Sequence, residues 1–329
     1  MSGRDVLRLG FVPLVDSVAL MAAQELGLFQ AEGVRVELVR EVSWATVRDK
    51  IAVGALDGAH MLAPLAIAAT LGIGSDPAPM IAPVVLNLTG PSITLSGRVS
   101  AAMRDEPSAA ALADLVRRRR EEGSSPLTFA SVYPYSVHTY LLRGWLAAAG
   151  IDPDRDVRLT VAPPSRMAEL LDGGVVEGFC AGEPWNRVAV SAGSGRIVAR
   201  AADLRERTPD KVFGVTRDWA ADNPDALLAL VRAIHAAADW LAAPDHRDAA
   251  AEMLSAPHYI GVDADLIEPG LDEMVQQHGA ATAPDPADAI WLVGEMLRCG
   301  QAPAGTNAEA VAAEVFRRDL YEAALPPSA

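Results

Sequence analysis

Strand and helix signals alternate along the first two-thirds of this chain, and that alternation constrains its fold more than any other feature. VLRLGFVP is a short apolar run ended by proline, and SVALMAAQELGLFQAEG has the spacing of an amphipathic helix closed by glycine. VRVELVRE alternates as a half-buried strand, and WATVRDKIAVGALDG is again helical. AHMLAP, LAIAATLGIG and PMIAPVVLNL continue as strand, helix and strand. A β-α-β-α order demands crossover helices, so the expected class is α/β with a mainly parallel sheet covered by helices.

After a strand-like TGPSITLSG and a helix expected from Pro107 to Glu122, a second alternation begins at PLTFASVYP and ends at RIVARA. From KVFGVTRDW onward the pattern turns helical, and NAEAVAAEVFRRDLYEAAL is the last such stretch. Two α/β runs and a helical tail imply two lobes. The chain is expected to cross between them near Thr89–Thr94 and to return near Lys211–Val215. This gives a discontinuous first lobe, residues 1–90 with 212–329, and a second lobe of residues 91–211.

The formal net charge of −15 opposes a direct nucleic-acid role, which needs a basic footprint. The run Arg117–Arg120 sits where a helix should end, and it reads as a solvated face that offsets the macrodipole. Cys180 and Cys299 are far apart and lie in no metal-ligand spacing, so they read as two reduced thiols with no metal site. The N-terminus lacks the charged, apolar and small-residue segments of a secretory leader, from which a cytoplasmic location is expected.

Ligands of open α/β sheets gather at the carboxyl ends of strands. Four such ends carry polar groups: Ser43-Trp44, Asn87 to Gly90, Ala130 to Pro134 and Ala181 to Trp185, and Lys211 stands at the return crossing. The set is rich in donors. It has no nucleophile beside a base, no Gly-rich phosphate loop and no paired acids in a fitting context, so it suits the binding of a small anion better than catalysis. Each member also has a structural reading. Trp44 can be core filler, Lys211 a surface lysine, and His60 and His138 packed histidines. Glu183-Pro184-Trp185 can simply start a helix, with proline near its first position.

The segments LRLGFVPLVDSVALMAAQELGLF, SWATVRDK, DGAHMLAP, WLAAAGIDPDRDVRLTVAPPSRM and FCAGEPWNRVAV, in this order, closely resemble the nitrate/bicarbonate substrate-binding family of ABC transport systems. The likeness runs from about Leu7 to Trp240 and continues more loosely into the tail. It implies a two-lobed periplasmic-binding-protein type II fold, a helical tail packed on the first lobe and an oxyanion cleft between the lobes. It also implies a ligand set. Trp44 matches the tryptophan of the family's WA(S/T) turn, Gly182 the glycine of its G-(D/E)-P-W segment, and Lys211 the lysine before the return strand. Thr89 and Ser131 stand where glutamine and histidine are expected in nitrate importers. Lysine at 211 favours nitrate or nitrite, which only accept hydrogen bonds, whereas the bicarbonate branch carries an acid there.

Within the family, the absence of a leader points to the cytoplasmic nitrate-sensor branch (NasS-like), which pairs with an RNA-binding antiterminator (NasT-like). The resemblance implies that the ligand-free sensor holds this partner and that nitrate releases it. Two other readings remain at this stage. One is the solute-binding component of a nitrate importer. The other is an enzyme on the related scaffold that serves synthesis of the thiamine pyrimidine, for which Cys180 is the one cysteine near the expected cleft.

Overall fold

The computed structural model describes residues 6–103, 107–275 and 282–325. Met1–Asp5, on which the expectation about the chain start rests, lie outside them. Contacts divide the chain into two units, Met1–Thr89 with Pro209–Ala329, and Gly90–Thr208. Lys211 therefore belongs to the first unit and not, as the boundary at 211 had it, to the end of the second.

The first unit is built on five strands, β1 (Leu7–Phe11), β2 (Val36–Arg40), β3 (Gly58–Leu62), β4 (Met80–Asn87) and, after the return, β10 (Lys211–Thr216). Their order across the sheet is β2-β1-β3-β10-β4. β1 runs parallel to β2 and β3, whereas β10 runs antiparallel to both of its neighbours. That reversal puts the start of β10 at the far ends of β3 and β4, with Lys211 opposite Leu62 on one side and Asn87 on the other.

The connecting helices begin where local chemistry starts them. Ser43 caps the helix Trp44–Ala52 by accepting the Thr46 N–H at 3.2 Å. Pro64 sits in the first turn of Ala63–Leu71, a helix that Gly72 ends in the left-handed conformation at φ 67°. β3 and β4 are buried along their whole length, as strands covered on both faces must be. At Gly58 a Cβ would come within 2.8 Å of the buried Phe213 ring, so glycine there lets β10 carry a large aromatic beside β3.

The helical tail packs on this first unit. The long helix Pro224–Ala242 lies against Val18–Glu25, and Pro286–Arg298 lies against Ala63–Leu71. NAEAVAAEVFRRDLYEAAL is two helices, Ala308–Val315 and Arg318–Ala324, where the periodicity predicts one. The break is at Phe316, which leaves the helix to bridge Ala82 of β4 while the Arg317 N–H donates to the Ala82 carbonyl at 3.2 Å. A tertiary backbone pairing overrides a continuous helical pattern here.

The second unit repeats the plan with β5 (Ser92–Ser96), β6 (Thr128–Ser131), β7 (Arg158–Val161), β8 (Gly178–Ala181) and β9 (Gly195–Arg200), in the order β7-β6-β8-β5-β9. β6 runs parallel to β7 and β8, while β5 is antiparallel to β8 and β9. Ile93, Leu95, Phe129, Leu142, Leu146 and Cys180 form its core. The helix expected over 107–122 spans Ala109–Glu121, and a separate short helix, Gly97–Ala102, precedes it. The helix after β8 starts at Trp185 with Pro184 as its N-cap, one position earlier than expected. Cys180 and Cys299 are not joined in a disulfide. Among the described residues no single helix is long and apolar enough to cross a membrane.

The alternation thus yields two sheets of one design, each with a single strand reversed. In both units the reversed strand is the first to follow a change of unit along the chain.

Candidate functional site

In the first unit, four strand ends and the start of β10 bring polar side chains together at the carboxyl edge of the sheet. Asp16 follows β1, Trp44 follows β2, His60 lies on β3, and Asn87 closes β4. Lys211 opens β10. The antiparallel entry of β10 is what places a lysine at this edge, where loops and helix starts of an α/β sheet converge.

Lys211 is fully buried. Its Nζ lies 3.0 Å from Asp16 Oδ2, and it also donates to the carboxylate of the preceding residue, Asp210. Both oxygens of Asp16 are engaged: Oδ1 is 2.8 Å from His60 Nε2, and Oδ2 also accepts from Asn87 Nδ2 at 3.1 Å. Burial alone would raise the Asp16 pKa, but the Lys211 charge and the His60 hydrogen bond outweigh it and hold the carboxyl well below its ordinary range. For Lys211 burial works downward, yet the two carboxylates raise its pKa above the usual lysine value. The two ions are each other's reason for remaining charged inside the protein.

Trp44 is fully buried, with its ring centroid 5.3 Å from that of His60 and 5.5 Å from Lys211 Nζ. The ammonium over an indole face adds a cation–π contact to the two ion pairs. Among the described residues, Trp44 Nε1 and His60 Nδ1 are buried without a hydrogen-bond partner. Because His60 faces an ionised carboxylate through Nε2, that nitrogen carries the proton. Nδ1 is then an acceptor in the neutral ring and a donor in the imidazolium. An ammonium has three protons, and two of those on Lys211 are directed at Asp16 and Asp210. The edge therefore holds spare donors at Lys211 and Trp44.

Thr89 joins this network at one remove. Its N–H and hydroxyl both donate to Asn87 Oδ1, at 2.8 and 2.6 Å, and Asn87 in turn donates to Asp16. Ser131 and Gly182 belong to the second unit. Ser131 ends β6 and pairs in register with Cys180 of β8, so Gly182 leaves the sheet two residues beyond that partner. The Ser131 hydroxyl is 2.7 Å from Thr139 Oγ1, which donates to the Tyr133 carbonyl at 2.7 Å. Ser136 caps the helix Val137–Ala148 on the same loop. Asn186 pins the end of β8, donating to the Ala181 carbonyl at 2.8 Å and accepting from Thr94 at 2.8 Å.

Of the five residues proposed from sequence, Trp44, Lys211 and Thr89 thus share one network, while Ser131 and Gly182 share a pair of strand ends in the other unit. Lys211 is no surface lysine, and His60 is packed and hydrogen-bonded. Asp16 and Asp210, the two acids that hold Lys211, were missed. Asp16 lies in PLVDS, in the short turn Val15–Ser17 that follows the first strand, a strand end that the four polar ones do not include. Among the described residues no cluster of three His, Cys, Asp or Glu side chains is placed to hold a metal ion.

Comparison with known proteins agrees with this architecture. The profile of the NMT1-like family matches residues 3–255. The nitrate/nitrite binding protein NrtA of Synechococcus elongatus is 31% identical over 342 residues, covering 96% of this chain and 76% of its own length. The nitrate import ATP-binding protein NrtC of Synechocystis is 34% identical over 96% of this chain, which spans only 49% of that relative. This chain spans about half the length of several such curated relatives. Among solved structures, the periplasmic nitrate-binding protein NrtA from Synechocystis superposes with a TM-score of 0.87 at 27% identity, covering 98% of this chain and 88% of the other. A sulfonate-binding SsuA from Xanthomonas, bound to MOPS, shares the fold at a TM-score of 0.70 and 17% identity. The chain belongs to the NMT1-like family and, within it, to the NrtA-like group.

Proposed function

We propose that this chain binds nitrate or nitrite and acts as a cytoplasmic sensor that releases an RNA-binding antiterminator when the anion is bound. The observation that carries the ligand assignment is Lys211, buried at the carboxyl edge of its sheet beside a Trp44 indole N–H that has no acceptor among the described residues. A planar anion that only accepts hydrogen bonds is matched to an ammonium proton and an indole N–H. The kinship with proteins named for nitrate or nitrite binding supports the same choice. The net charge of −15 supports a regulator that leaves RNA contact to its partner.

Calorimetric titration with nitrate, nitrite and bicarbonate tests the ligand. Saturable binding of nitrate or nitrite in preference to bicarbonate is expected, and binding of bicarbonate alone would end this reading. A second reading, the solute-binding component of a nitrate importer, draws support from the relatives named for nitrate import. It predicts the same ligand without the antiterminator.

A further inference from the structure

We propose that the second unit carries a separate binding site for a small organic phosphate, built by Arg119, Arg120 and Arg155. It goes beyond the anion reading above and shares no residue with it. A cavity of about 330 Å³ opens between the end of the helix Ala109–Glu121, the loop that leads into β6 and the turn before β7. β6 and β7 are parallel, with Thr128 opposite Arg158, so this is the amino edge of the second sheet. Ser131 ends β6 at the other edge.

The run Arg117–Arg120 divides here. Arg117 pairs with Asp114 at 2.5 Å, and Arg118 donates to the Ala102 carbonyl at 3.0 Å, so both serve their own surroundings. Arg119 and Arg120 instead line the cavity, and Arg155 joins them from the turn. Arg119 is the fixed member: it is partly buried, and its Nη2 donates to the Ser125 carbonyl at 3.0 Å. Arg120 and Arg155 are the adaptable ones, with side chains 82% and 79% exposed. Arg120 reaches Asp156 only at 3.4 Å, while Arg155 holds Asp152 at 2.5 Å. Pairs this exposed contribute little, so exchanging a carboxylate for a ligand oxygen costs little.

Three features select the ligand. Guanidinium forks match phosphate oxygens, and a terminal phosphate presents three acceptor oxygens where a carboxylate presents two. Val116 and Leu127 give the cavity an apolar wall, which suits a carbon skeleton. The volume of about 330 Å³ is roughly ten times the ~30 Å³ share of one water molecule. A bare phosphate would leave most of it to water, whereas a phosphorylated ring fills it. Asp156 is the acid of the lining, and its Oδ2 is engaged by the Asp152 N–H at 2.9 Å.

The probe is phenyl phosphate, a phosphate monoester on an apolar ring, with inorganic phosphate and phenol as its two halves. In calorimetry, wild type is expected to bind phenyl phosphate saturably and about tenfold more tightly than either half. Saturating nitrate is expected to leave that binding unchanged. Arg119→Gln is expected to weaken it by about tenfold or more, and Arg120→Gln and Arg155→Gln by about threefold each. Arg117→Gln removes the same charge from the same helix, but its guanidinium faces Asp114, so affinity is expected to stay within about twofold of wild type.

Equal losses in Arg117→Gln and Arg119→Gln would show diffuse surface attraction and overturn the proposal. Displacement of phenyl phosphate by nitrate would overturn it as well, since the probe would then share the nitrate site. Affinity no better than that of inorganic phosphate would remove the organic ligand, and absence of saturable binding would remove the site. Should Arg119→Gln fail to fold, the exposed Arg120→Gln and Arg155→Gln decide, and unchanged affinity in both overturns the proposal.

Discussion

Lys211 Nζ and Asp16 Oδ2 are 3.0 Å apart with both side chains buried, one opening β10 and the other following β1. Since Asp210 shares the same ammonium, the carboxyl edge of this sheet carries a cation between two acids. A buried pair of this kind adds little over a well-packed apolar replacement, but losing one partner leaves the other charge stranded. Most consequences of the structure follow from that asymmetry.

Lys211→Met is expected to destabilise the protein by about 3–5 kcal/mol at neutral pH, because Asp16 and Asp210 then lose the ammonium they share in a buried setting. Urea unfolding monitored by circular dichroism measures this. The deficit is expected to shrink as pH is lowered, since protonating the stranded carboxyls relieves them. A variant as stable as wild type at neutral pH would mean that the acids are not held as the geometry places them. Nitrate binding should be lost in the same variant, together with the ammonium proton that the anion would accept.

The pH dependence of wild type follows from Asp16. Its folded pKa is lowered from the ordinary 3.8, so the unfolded chain binds the proton more readily. Its stabilisation is therefore fully present above about pH 4 and is lost as pH falls from there towards the folded value. Lys211, raised above 10.5, acts in the opposite sense. Its contribution is complete below that value and disappears as pH climbs past it. Melting temperatures of wild type and Asp16→Asn between neutral pH and the acid limit are expected to converge as pH drops. Parallel curves would show that Asp16 titrates no differently in the folded and unfolded chains.

How much of this was legible in the sequence depends on the residue. Trp44 and Lys211 could be singled out as members of the polar cluster because they stand at strand boundaries, and their flanking strands are strongly patterned. Asp16 is an acid within an apolar stretch, LVDSV, and nothing local says that it will be buried. Its partner, Lys211, comes from the far side of an inserted unit. For the same reason the boundary at 211 separated Lys211 from Asp16: KVFGVT carries a strand signal but no indication of which sheet it will join. Strand patterns also say nothing of direction, so the reversal of β5 and β10 was invisible. Yet that reversal is what puts Lys211 at the carboxyl edge. The break at Phe316 was hidden too, since helical periodicity runs straight through it until β4 offers Ala82 as a backbone partner.

Trp44→Phe separates packing from ligand contact. Phenylalanine keeps an aromatic body beside His60 and Lys211 but removes an indole N–H that has no acceptor among the described residues. Loss of an unsatisfied buried donor is expected to offset part of the packing deficit from the smaller ring, leaving thermal stability close to that of wild type. If nitrate accepts from that N–H, its affinity is expected to fall by about 0.5–1.5 kcal/mol. Calorimetry and thermal melts on one preparation read both. A large drop in melting temperature with unaltered nitrate affinity would assign Trp44 to the core alone.

The sensor reading makes a prediction that the importer reading does not. An anion that bound equally well to the free protein and to its complex with the antiterminator could not release the partner, however tightly it bound. Release therefore requires that the partner weaken nitrate binding by the same factor by which nitrate weakens the partner. A coupling of about 1–3 kcal/mol is the ordinary range, equivalent to roughly 5–150-fold in either affinity. Purified together, the two proteins are expected to co-elute in size-exclusion chromatography without nitrate and to separate at saturating nitrate. Nitrate titrated into the preformed complex is expected to show the matching loss of affinity relative to the free chain. Lys211→Arg keeps the charge but replaces a compact ammonium with a planar fork, which is expected to blunt both effects in the same proportion. A complex that persists unchanged at saturating nitrate, formed by a chain that still binds nitrate when alone, would leave the transport reading as the one the ligand supports.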